Sequence, residues 1–104
     1  MTIQTSDPVA HQIAAAANVV GSWTSPVTAV ALILANEGTA WAFVTVDGPA
    51  PTVGGDGQFA VGPGSSVTVR VASGQQTSLP TGYTGPVVQA ISSAALTLYV
   101  EVSP

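Results

Sequence analysis

A chain of 104 residues with one arginine, no lysine and five acidic residues cannot build the cationic surface that nucleic acid or an anionic membrane demands. It has no cysteine, which excludes disulfides, thiolate metal sites and a cysteine nucleophile. The length allows one domain at most. Charged residues make up 6%, against about 25% in an ordinary soluble domain, and such a surface suits packing against other protein.

Residues 1–26 support two readings. Asp7 as N-cap and Pro8 at the first helical position would open a helix continued by Val9 to Ala17. Against it, Ile13 and the pair Val19-Val20 make no clean amphipathic stripe, and the alternative is an extended arm or short edge strands punctuated by Pro8 and Pro26. His11 falls here with no second histidine or nearby glutamate, so it reads as an ordinary polar residue and not as a metal ligand or general base. No basic stretch followed by a long apolar one opens the chain, so no secretory leader is expected.

Val27 to Gly48 (VTAVALILANEGTAWAFVTVDG) reads as two strands joined by a tight Asn36-Glu37-Gly38 hairpin turn, with Gly38 supplying the positive φ. In the first arm Val30, Leu32 and Leu34 share one face, and Ala29, Ala31, Ile33 and Ala35 the other. In the second, Ala40, Ala42, Val44 and Val46 alternate with Trp41, Phe43, Thr45 and Asp47. A half-solvated antiparallel strand is polar on one face; these arms are apolar on nearly both. The second face is therefore expected to be covered by another layer, an N-terminal arm or another copy of the chain. The most apolar run, Val27 to Ala35, is about half the length of a membrane helix.

Asp47 to Gln58 (DGPAPTVGGDGQ) is a loop broken by glycine and proline, and turn chemistry explains Asp47 and Asp56 better than a calcium site does. A short strand, Phe59 to Val61, precedes a Gly62-Pro63-Gly64-Ser65 turn. Ser66 to Ala72 then alternates Val67, Val69 and Val71 with Thr68, Arg70 and Ala72. Arg70, the only strong cation, is placed on the outward face, pairing with Asp47, Glu101 or a partner's carboxylate; the sharper reading is a grip on a ligand carboxylate or phosphate. Ser73 to Pro86 is a second long loop with Tyr83 near its tip. Val87 to Ile91, a Ser92-Ser93 turn and Ala95 to Val102 complete the strands, the last with Leu96, Leu98, Val100 and Val102 on one face and Thr97, Tyr99 and Glu101 on the other.

About six strands thus follow residue 26, with no strong helix. The expected fold is all-β: a small antiparallel β-sandwich, Ig-like or jelly-roll-like, over residues 27–104, with an N-terminal arm over 1–26. The search for chemistry comes back nearly empty. One histidine, no cysteine and no lysine remove most nucleophile–base pairs, and there is no Gly-x-Ser-x-Gly elbow. Glu37, Asp47, Asp56 and Glu101 could supply a carboxylate pair for glycoside hydrolysis, but turn roles account for Glu37 and Asp56. No catalytic residue, cofactor or metal is expected. The interface candidates are Trp23, Trp41, Phe43, Arg70, Tyr83 and Tyr99. Trp23, Trp41, Tyr83 and Tyr99 could alternatively form a sugar-stacking platform, although they show no paired spacing on one face.

The order Asn36-Glu37-Gly38, Trp41-Ala42-Phe43-Val44, Val61-Gly62-Pro63-Gly64-Ser65, Val88-Gln89-Ala90-Ile91-Ser92 and Leu96-Thr97-Leu98-Tyr99-Val100 resembles small β-sandwich structural proteins of tailed-bacteriophage virions, some of which decorate or cement the capsid. The resemblance covers residues 27–102 and carries over no functional residue. It implies a non-catalytic protein that binds the major capsid protein and itself, as a homotrimer, on the capsid exterior after synthesis in the host cytoplasm. The arm would tether a neighbouring subunit. Two other functions stay open: a carbohydrate- or receptor-binding module of a phage tail or fibre, and a small hydrolase.

Overall fold

A computed structural model describes residues 10–25, 31–70 and 85–103. Eight strands run through them: β1 (Ala10–Ala15), β2 (Gly21–Thr24), β3 (Ala31–Asn36), β4 (Ala42–Val46), β5 (Phe59–Val61), β6 (Ser66–Arg70), β7 (Val87–Ser92) and β8 (Leu96–Ser103). They form two four-stranded sheets in the orders β1-β8-β3-β6 and β2-β7-β4-β5, antiparallel throughout.

The pairing is nested. β1 pairs with β8, β2 with β7, β3 with β6 and β4 with β5, as though one long antiparallel ribbon were folded at its middle and rolled up. Rolling adds the contacts β3–β8 and β4–β7 that close each sheet. Eight strands in this connectivity make a jelly roll. An Ig-like sandwich would place its sequence-adjacent first two strands together in one sheet, whereas here β1 and β2 lie in different sheets.

The core follows from alternation. Ile13, Leu32, Leu34, Val69, Leu96, Leu98 and Val100 point inward from the first sheet, and Ala42, Val44, Val61, Val88 and Ala90 from the second. At about 25 cal/mol per Å² of apolar area removed from water, this two-sided set is the main source of stability. Ala42 and Ala90 lie on the sheet opposite Leu32, Leu34, Leu96 and Leu98, and small side chains on one layer facing large ones on the other favour close packing.

The structure corrects four expectations. First, β3 and β4 are not a hairpin. β3 pairs with β6 and β8, β4 with β5 and β7, and the connection between them crosses from one sheet to the other. Gly38 does not take a positive φ; its backbone N–H instead donates to the Asn36 side chain. Secondly, the division at residue 26 does not hold for residues 10–25. They form neither a helix nor a separate arm but the short edge strands of the alternative reading: β1 and β2 lie at the edges of the two sheets, and Ile13 is in the core. Thirdly, Arg70 forms no ion pair with Asp47 or Glu101 among the described residues: Asp47 accepts from the Val87 N–H, and Glu101 is two strands away. Fourthly, Ser92 closes β7 instead of opening the turn, and its hydroxyl accepts from Ala94 N–H at 3.4 Å.

The Gly62-Pro63-Gly64-Ser65 turn is as read. Ser65 N–H donates to Gly62 carbonyl at 2.9 Å, and Gly64 holds φ +74° behind Pro63, the arrangement of a type II turn.

Candidate functional site

Three places gather the residues that matter. The first is the crossing from β3 to β4. Alternation puts Asn36 on the core face directly after Leu32 and Leu34, and it is fully buried there. Its Nδ2 donates to the carbonyls of Ala40 and Val61, each at 2.8 Å, and its Oδ1 accepts from Gly38 N–H at 2.9 Å. Its backbone N–H donates to Ser65 carbonyl and its carbonyl accepts from Gly64 N–H. Every donor is used and each oxygen accepts a bond, so the cost of burying the amide is met. Because Asn36 belongs to the first sheet and Val61 to the second, the side chain ties the two layers at one end of the core.

The second is the edge formed by β1 and β2. His11 and Trp23 stack with ring centroids 4.5 Å apart and planes 10° apart. Each side chain is half-buried, and the pair closes the gap between the two sheets where β1 and β2 end them. The structure thus gives His11 a packing role, and Trp23 a place on the sandwich edge.

The third is the pair of outer sheet faces. On the second sheet, Trp41 is 55% exposed and lies over Gly62, where a Cβ would meet its ring at 3.3 Å. An aromatic ring laid over a glycine of the neighbouring segment shields backbone that the glycine leaves bare. Further along, Phe43 is half-buried beside Ile91, which is 8% exposed. Thr45 is also covered, and its hydroxyl donates to Pro49 carbonyl at 2.9 Å, drawing the loop after β4 back over this face, with Pro51 buried. The Gln58 side chain stiffens that loop: its Oε1 accepts from Thr52 N–H at 2.6 Å while its Nε2 donates to Thr52 and Gly55 carbonyls.

The first sheet presents a different face. Outward from β3 come Ala31, Ile33 and Ala35; from β8, Thr97, Tyr99 and Glu101; from β6, Ser66, Thr68 and Arg70; from β1, Gln12 and Ala14. Tyr99, between Gln12 and Ala35 in the ladder, is 37% exposed.

Of the expected interface residues, the structure therefore separates rather than gathers. Trp41 and Phe43 lie on one outer face, Tyr99 and Arg70 on the other, and Trp23 at the edge. Tyr83 lies outside the described residues. The carboxylates are likewise dispersed: Glu37 in the crossing, Asp47 and Asp56 in the loop after β4, Glu101 on β8. Among the described residues no group of three or more His, Asp or Glu is placed to hold a metal ion. Asp47 has a structural role, holding φ +53° as β4 ends and exchanging two hydrogen bonds with Val87 on β7. Sequence reasoning missed Asn36 as a core residue, although its place two positions after Leu34 on the inward face was the signal. No protein-family model matches the chain, and no curated protein or solved structure matches it.

Proposed function

We propose that the protein is a non-catalytic structural component of a virus shell, a decoration or cement protein of a tailed-bacteriophage capsid that binds across subunits of the major capsid protein. The observation that carries this reading is the placement of exposed aromatic side chains on both outer faces, Trp41 on one and Tyr99 on the other. A protein that holds two neighbours together needs two binding surfaces facing apart. A sugar-stacking module needs its aromatic rings side by side, and Trp23, Trp41 and Tyr99 stand on an edge and two opposite faces. The mechanism is passive. Apolar area buried on docking favours the assembled shell over its free subunits, because the ligand binds only the assembled state. Jelly rolls serve both viral shells and lectins, so the fold alone does not choose between these functions.

The test is co-sedimentation with capsid shells stripped of accessory proteins. The protein is expected to pellet with the shells at a saturating ratio set by their symmetry, and to raise the temperature at which they disassemble. Trp41→Ser is expected to weaken binding while the protein stays folded. If the protein remains in the supernatant and instead binds immobilised glycans in a Trp41-dependent way, the shell reading gives way to the carbohydrate-binding one.

A further inference from the structure

Among the described residues, no segment is drawn over the outer face of the first sheet as one is over the second. The second sheet's outer face has the loop after β4 drawn onto it through Thr45 and Pro49. Across the first, Tyr99, Glu101, Thr68 and Arg70 are exposed, and the central strand β3 offers only Ala31, Ile33 and Ala35. A solvated sheet face normally carries polar residues at such positions.

Two opposite charges flank that apolar strand. Glu101 stands beside Ile33 on the β8 side, and Arg70 stands beside Ala31 on the β6 side. They are two strands apart and one pleat repeat out of step, a separation of roughly 12 Å from strand spacings of about 4.8 Å and a rise of about 3.3 Å per residue. They are not paired within the chain. A two-fold axis lying in the face and crossing β3 between Ala31 and Ile33 exchanges their positions. We propose that this face is a two-fold self-contact, in which Arg70 pairs with Glu101 of the partner subunit, and Glu101 with Arg70 of the partner subunit, on either side of an apolar centre formed by Ala31 and Ile33.

The occupant is a second copy because the face is its own complement, as an isologous interface requires. It carries one cation and one anion among the described residues, each exposed and without an ion-pair partner. Arg70 is also the only lysine or arginine in the chain, so any ion pair between copies that uses a side-chain ammonium or guanidinium must use it. A guanidinium can meet the carboxylate with two parallel hydrogen bonds, which fixes register as well as adding attraction. The contact is small. Four strands of about six residues give a flat area of roughly 400 Å², about half of what each partner buries in a standard interface, so the dimer is weak and forms at high concentration. This contact shares the Tyr99 face with shell binding and gives way to it on docking, and it does not depend on what the Trp41 face binds.

Sedimentation equilibrium tests it, run at low salt from about 10 μM to about 1 mM, the range a small interface demands. The expected mass rises from one chain to two. Arg70→Glu or Glu101→Arg turns both pairs repulsive and is expected to weaken dimerisation about tenfold or more, and the double exchange R70E/E101R to restore it. Both side chains are exposed, so the unfolding midpoint of each variant should match the parent and separates lost pairing from lost folding. A mass of one chain throughout, a mass of three, a dimer that survives both single reversals, or a double exchange that fails to recover would each overturn the proposal. Shell binding reads Trp41 instead, so failure of one assay leaves the other standing.

Discussion

Asn36 offers the sharpest test of how the two layers are held together. Replacing it with aspartate keeps the shape and leaves no cavity. The bond from Gly38 N–H to the side-chain oxygen is retained, but the two donors aimed at Ala40 and Val61 carbonyls, each 2.8 Å away, are gone. An ionised carboxylate would set oxygen against oxygen at both. The introduced carboxyl therefore stays protonated in the folded state, where its single O–H satisfies one carbonyl and leaves the other unpaired. Below about pH 4, where the unfolded chain is also protonated, the loss is roughly 1–3 kcal/mol for the one unmet carbonyl. As pH rises, the unfolded state releases the proton and the folded state does not. Stability then falls by about 1.4 kcal/mol per pH unit until the folded-state pKa is passed, reaching about 4 kcal/mol of additional loss at pH 7 if that pKa lies above 7. Against a total of about 5–15 kcal/mol for a domain of this size, the variant is close to unfolding at neutral pH.

The assay is urea denaturation at a series of pH values from about 4 to about 7, followed by the fluorescence of Trp23 and Trp41, for the parent, Asn36→Asp and Asn36→Leu. Leucine also removes the amide but cannot titrate. Its loss, roughly 2–5 kcal/mol from three unmet groups of which Val61 carbonyl is the most deeply buried, should be independent of pH relative to the parent. A sloping difference for aspartate beside a flat one for leucine is the expected pair of results. Two flat lines would refute the reasoning, because they would mean the side chain does not donate to carbonyls in a water-excluded site.

Three further predictions address the rest of the fold. Deleting residues 1–25 removes an edge strand from each sheet and Ile13 from the core, so the remainder should lose its cooperative unfolding transition; a truncated chain as stable as the parent would restore the separate arm. A double-mutant cycle over His11→Ala and Trp23→Ala should give a coupling of about 0.5–1.5 kcal/mol from the ring stack, and additive losses would remove its role in closing the edge. Gly64→Ala has open space for its Cβ, so it should lower stability by about 1–2 kcal/mol through φ +74° alone; an unchanged denaturation midpoint would show that the turn relaxes.

Much of the strand pattern was legible because alternation is a local property. Leu96, Leu98 and Val100 face inward and Tyr99 and Glu101 outward, as their spacing says. The Pro63-Gly64 turn was legible for the same reason, since its chemistry lies within four residues. Pairing was not. Leu32 and Leu34 alternate identically whether the next strand lies beside them or across the core, so periodicity cannot separate a hairpin from a crossing between sheets. The deciding residue was Asn36. In a hairpin it would be a solvated turn residue; on the same face as Leu34 it is buried, and only a crossing supplies carbonyls from the opposite layer. β1 and β2 were obscure because their partners, β8 and β7, come from the other end of the chain. The sandwich edge was equally hidden: nothing local connects His11 with Trp23, which meet only once both sheets exist.

The apolar second faces of β3 and β4, which first suggested that something must cover this protein, turn out to belong to different surfaces. On the β4 side the chain supplies part of its own cover, through the bond from Thr45 to Pro49 and the loop clamped by Gln58, and Trp41 is left standing clear at the uncovered end. On the β3 side no described segment does the same, and Ile33 lies between residues of opposite charge that are not paired with each other. A chain under selection only to stay soluble would place polar residues at positions 31, 33 and 35, at little cost to a core that Leu32 and Leu34 already fill. Retaining Ala31, Ile33 and Ala35 makes physical sense if that face is buried for part of the protein's working life. The Trp41 face would then meet only an external partner, while the other face would meet a second copy in the free protein and a shell neighbour once docked.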